Sequence, residues 1–94
     1  MLQEVPMTEF DPYKKWLGIP PKDQPPHHCR LLGIEVFESD PDVIETAADQ
    51  KMAYLQGSVN GEHSQTAERI LNEVSAARVC LLNSQKKTAY DQDL

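Results

Sequence analysis

The chain has 94 residues, 39% of them apolar, which is the length of one domain with material for one modest core. Its formal charge of −6 argues against a phosphate backbone or an anionic membrane as partner, because both reward clustered Lys and Arg. No apolar run approaches the ~20 residues of a membrane-spanning helix, and the opening Met-Leu-Gln-Glu-Val-Pro lacks the basic-then-apolar order of an export signal, so a cytoplasmic location is expected.

Residues 1–9 are expected to be a flexible N-terminus, 10–26 an aromatic and proline-rich arm, and 27–94 a helical domain. In the arm, Asp11-Pro12 followed by Tyr13 to Leu17 and Gly18 predicts a short helix. Asp can cap free N–H groups, Pro suits the first helical position, and Gly accepts a left-handed stop. Ile19 to Pro26 holds four prolines and is expected to be a stiff, extended connector. Pro25-Pro26 is expected to open a second short helix through Leu32, closed by Gly33, with a loop from Ile34 to Glu38 and Phe37 tucked inward.

Ser39-Asp40-Pro41-Asp42 is a strong helix start, with a capping side chain, Pro in the first turn and acids facing the positive end of the dipole. Ile44, Ala47, Ala48, Lys51, Met52 and Leu55 then recur at helical spacing up to Gly57. Gly57 to Gly61 is a turn in which two Gly and Asn60 tolerate positive φ. A second long helix is expected from about Glu62 or Ser64 to Leu82, its apolar stripe formed by Ala67, Ile70, Leu71, Val74, Ala77, Cys80 and Leu81. Asn83 or Ser84 caps a last short helix. No stretch alternates with period two, so the expected fold is all-α: an antiparallel helical hairpin flanked by short helices.

Few residues carry a chemical signal. Phe10, Tyr13 and Trp16 sit three apart; they are expected to dock on the hairpin, and as aromatics they also suit a partner surface. His27, His28 and Cys29, with Cys80 or His63, lack the spacing of a zinc site. Cys80 lies on the apolar stripe, which suits an inert thiol, and both cysteines are expected to be free in a reducing compartment. Arg69, Arg78, Lys86 and Lys87 form the main basic concentration, read as a solvated face near helix C-termini. No catalytic residue, metal or cofactor is expected.

From Cys29 onward the element order resembles the J-domain of Hsp70 co-chaperones: short helix, long helix, turn, long helix, short helix. The segment LLNSQKKTAYD, Leu81 to Asp91, resembles the end of that family's second long helix and its last helix, with Leu81, Lys86, Lys87, Tyr90 and Asp91 at matching spacing. Leu71, Val74 and Ala77 match family core positions, and RLLGI (Arg30 to Ile34) its opening motif, with Cys29 where Tyr is common. About two thirds of the chain is covered. The arm, Phe10 to Pro26, resembles one found with J-like segments at the start of some large bacterial proteins, serine/threonine kinases among them, although no Gly-rich or catalytic-loop motif is present.

The family stimulates Hsp70 through a His-Pro-Asp tripeptide, whose place here falls at Gln56-Gly57-Ser58. The family's first long helix is basic, whereas Asp40, Asp42, Glu45 and Asp49 against Lys51 leave this one at net −3. The resemblance therefore implies a J-like, non-catalytic interaction module, a docking or regulatory unit of a larger bacterial protein, that does not drive Hsp70. Its partner would be a protein: a second copy or another J-like chain. The other readings are an Hsp70 co-chaperone with an atypical contact and a purely structural N-terminal domain.

Overall fold

The computed structural model describes residues 10–94; the expected flexible N-terminus, residues 1–9, lies outside them. Five α-helices follow in order: α1 (Pro12–Leu17), α2 (His28–Leu32), α3 (Pro41–Gln56), α4 (Ser64–Leu82) and α5 (Ser84–Asp93), with a 3-10 turn at Pro21–Asp23 between α1 and α2. No strand occurs among the described residues, and the fold is all-α. None of these helices is long and apolar enough to cross a membrane.

The helix ends follow local chemistry. The Asp11 carboxylate accepts the Lys14 N–H at 3.2 Å, Asp40 accepts from Asp42 at 2.9 Å, and the Asn83 carbonyl oxygen accepts from Lys86 at 2.9 Å. Gly18 (φ 70°) and Gly33 (φ 77°) close α1 and α2 in the left-handed region, which a Cβ would disfavour. One cap was hidden from the sequence. Helix α2 starts at His28, later than the prolines suggested, because the His27 imidazole accepts the Arg30 N–H at 3.2 Å.

Helices α3 and α4 form the hairpin, and its sense follows from one residue. Arg78, late in α4, reaches Glu45 at 3.1 Å and Asp49 at 3.4 Å, both early in α3, so the two run antiparallel. Between them lie Ile44, Ala48 and Leu55 from α3 and Ala67, Ile70, Val74, Ala77 and Leu81 from α4, all at most 3% exposed. Helix α2 adds Cys29, Leu31 and Leu32. Each fully buried Leu or Ile side chain stabilises the domain by roughly 1.5–3 kcal/mol. Among the described residues no polar or charged residue is fully buried, so the core owes nothing to internal charge pairs.

Three further expectations need correction. The connector after α1 is compact: Gln24 donates through its side-chain amide to the Asp11 carboxylate and to the Ile19 carbonyl, each at 3.1 Å, folding the prolines back around Ile19. Proline fixes φ at a value a 3-10 turn also accepts, so a proline run need not be extended. Ile19 itself is 0% exposed and belongs to the core. The turn after α3 uses no positive φ; Gly57, Ser58 and Val59 bond back to Tyr54, Leu55 and Gln56, overwinding the helix end instead. Finally, Phe37 points outward at 55% exposure.

Candidate functional site

Helix α1 carries Tyr13 and Trp16 three residues apart, which sets both on one face. Phe10 stacks on the His63 imidazole with centroids 3.9 Å apart and planes within 6°, and meets Trp16 edge-on at 5.1 Å. The Tyr13 hydroxyl donates to Glu73 Oε1 at 2.7 Å, and burial, followed by the Glu73 carboxylate, pushes the phenol above its ordinary range. All three rings are half-buried. They therefore dock on the hairpin and fix the arm across α4. His63, the residue just before α4, serves as a platform for Phe10.

Gln56, Gly57 and Ser58 close α3. Gln56 and Gly57 are exposed and Ser58 is half-buried, and none of them offers an imidazole or a carboxylate. The acids of α3 are partly neutralised. Arg78 holds Glu45 and Asp49 together, a pairing between exposed groups that contributes well under 1 kcal/mol to stability but removes charge from the α3 surface.

The other basic residues do not gather. Arg69 and Arg78 are nine positions apart on α4, roughly 13 Å by helical rise. Arg69 pairs with Glu73 at 3.6 Å and Lys87 with Asp91. Arg69, Arg78 and Lys87 each have an acid beside them, which leaves the exposed Lys86 and no concentrated positive face in this region.

The His27-His28-Cys29 run is likewise divided. His27 caps α2, His28 stacks on Tyr90 with centroids 4.3 Å apart, and Cys29 is buried. Among the described residues no three His, Cys, Asp or Glu side chains converge as metal ligands. Both cysteines are free; Cys80 is half-buried, its Sγ 3.8 Å from the Lys86 carbonyl. Burial pushes the Cys80 thiol up, against the opposing pull of Lys86, so it is held as the less reactive thiol.

His28 gives a pH test of the α2–α5 contact. Burial, then the neighbouring His27, lowers its pKa, so the unfolded chain binds the proton more readily than the folded one. Stability is therefore full above the unfolded value of about 6.5 and falls as the pH drops through it. Urea titrations across that window should show this loss, and His28→Gln should flatten the slope. An unchanged slope in the variant would assign the dependence elsewhere.

A different surface was not anticipated. The loop between α2 and α3 makes a turn closed by the Glu38 N–H to the Glu35 carbonyl at 3.1 Å. Phe37 occupies its third position with φ 68°, the place a type II turn gives to glycine. A bulky residue held there costs of order 1–3 kcal/mol. Val36 and Phe37 are exposed at the tip, and Val43, on the first turns of α3, is exposed beyond them. Between loop and helix lie two adjoining open depressions of about 360 and 460 Å³, both touching Gly33, Ile34 and Val43. The available sequence signal was Val36-Phe37 between two glutamates, an apolar pair with no helical partner at i+3 or i+4.

No family model, no curated protein and no solved structure matches the chain.

Proposed function

We propose that the chain is a non-catalytic protein-interaction module of J-like build that does not accelerate ATP hydrolysis by Hsp70. The observation that carries this reading is the turn after α3. Where the resemblance needs His-Pro-Asp, the helix ends in Gln56, Gly57 and Ser58, a site without a titratable group. Charge supports it from a second direction. Even with Arg78 beside Glu45 and Asp49, α3 keeps an excess of acid, the wrong sign for the acidic Hsp70 face that the family's basic helix meets. A protein partner in the cytoplasm belongs to the same proposal, since a chain of net charge −6 is repelled by nucleic acid and anionic lipid.

The test is single-turnover ATP hydrolysis by Hsp70 with the purified chain added. The expected rate is that of Hsp70 alone at every concentration; a dose-dependent acceleration overturns the proposal. Grafting His-Pro-Asp at Gln56-Gly57-Ser58 should also leave the rate unchanged, because the acidic α3 still opposes docking. The graft removes the Gly57 N–H that bonds to the Tyr54 carbonyl, so its helicity is checked first.

A further inference from the structure

We infer that the face formed by the α2–α3 loop and the start of α3, centred on Val36, Phe37 and Val43, docks a cationic amphipathic segment of a protein partner. This rests on the reading of the chain as an interaction module and names the surface and the chemistry of its occupant.

The apolar side of the inference comes from where exposure is concentrated. Large hydrophobic residues are exposed at six described positions, and Val36, Phe37 and Val43 fall within one short stretch. Tyr54 near the end of α3, Val79 on α4 and Leu94 after α5 lie singly, as isolated surface hydrophobics commonly do. Val43 lines both depressions, which also touch Ile34 and, in one, Ala47, and Val36 and Phe37 lie in the loop between Glu35 and Glu38, which line the other. Gly33 leaves that space open, with only the Lys51 ammonium nearby, 3.4 Å from where a Cβ would stand. The turn keeps a strained phenylalanine where glycine would fold more easily, and no internal contact of the core uses its ring.

Charge complementarity selects the occupant. Glu35, Glu38 and Asp42 line the depressions and Asp40 lies beside them in the chain, so four acids face two cations, Arg30 and the Lys51 ammonium near Gly33. Arg30, the base on the α2 side, is drawn toward Asp23 at 3.4 Å. Helix capping accounts for Asp40, and the Glu38 carboxylate accepts the Asp40 N–H at 3.0 Å, so part of the acidity has a local role. That role does not require Val36 or Phe37 to face solvent. Apolar side chains beside an excess of carboxylates match a segment that offers two or more aliphatic side chains flanked by Lys or Arg. An anionic membrane, a nucleic acid and a second copy of this chain at net −6 all carry the same negative sign as the face and are repelled by it.

The experiment is an NMR titration of the full isotopically labelled chain with a designed amphipathic Leu/Lys peptide, and with a Leu/Glu peptide of the same apolar pattern. The expected result is saturable shifts of amides in residues 34–47 with the Leu/Lys peptide, weakening as salt is raised, and none with Leu/Glu. Phe37→Gly should weaken binding about tenfold while the melting temperature stays level or rises, because glycine relieves the turn. Val43→Ser, which touches no strained backbone, should weaken it in the same direction. Saturable shifts confined to another face overturn this surface while leaving an interaction module standing. Equal binding of both peptides, or unaltered affinity in both variants, overturns it as well. The Hsp70 assay is independent of every one of these outcomes.

Discussion

Ile19→Ala should lower unfolding stability by about 2–5 kcal/mol, the range for emptying a fully buried aliphatic site. For a small domain that is a large part of the whole margin. Ile19 is 0% exposed and is the sole fully buried residue between Phe10 and His28, so the seating of the arm depends on it. The polar fastenings around it cannot compensate. The Gln24–Asp11 and Tyr13–Glu73 hydrogen bonds are both only partly buried, each contributing about 1 kcal/mol. Urea denaturation followed by circular dichroism measures the loss, and Val36→Ala, an exposed change, should stay within about 0.5 kcal/mol of the parent. A loss below about 1 kcal/mol for Ile19→Ala would mean that the arm is not part of the core.

Tyr90→Ala should release α5 while sparing the hairpin. Helix α5 has no fully buried residue. Its anchor is Tyr90, whose hydroxyl accepts the His28 N–H at 2.7 Å and whose ring stacks on the His28 imidazole. The Lys87–Asp91 pair lies within α5 and does not tie it to the rest, and the Asp91 Oδ1 oxygen is buried with no partner. Removing the ring and orphaning the first N–H of α2 should cost about 2–3 kcal/mol of local stability, less than a fully buried aromatic would. Amide exchange in α5 should speed up roughly 30- to 150-fold, with central α3 and α4 amides little changed. Tyr90→Phe keeps the stack and should lose only about 1 kcal/mol. Uniform acceleration across all helices would show that α5 unfolds with the core.

The helices were legible because their signals are local. Asp11-Pro12, Asp40-Pro41 and Asn83 announce caps by side-chain chemistry, and the α4 stripe marks the buried residues Ala67, Ile70, Val74, Ala77 and Leu81 by spacing alone. What escaped was set by contacts across the chain. Ile19 is one apolar residue between a glycine and two prolines, with no period to read, and its burial comes from a clasp closed by Gln24. His27 caps through a ring nitrogen, outside the usual set of short oxygen-bearing side chains. The three arm aromatics were visible as a group, but the choice between core and partner surface required His63 and Glu73, far along the sequence. Phe37 was misplaced for a related reason: hydrophobicity predicts burial, whereas the backbone sign that turns the side chain outward is invisible in composition.

Trp16 makes the seating of the arm directly observable by light. It is the chain's one tryptophan, packed against the core and edge-on to Phe10, so its emission comes from the arm and not from α5. A red shift with unchanged far-ultraviolet circular dichroism would mark a detached arm on an intact hairpin. A helical signal that decays while the emission holds would mark fraying of α5. The two local openings are thereby distinguishable in one unlabelled sample.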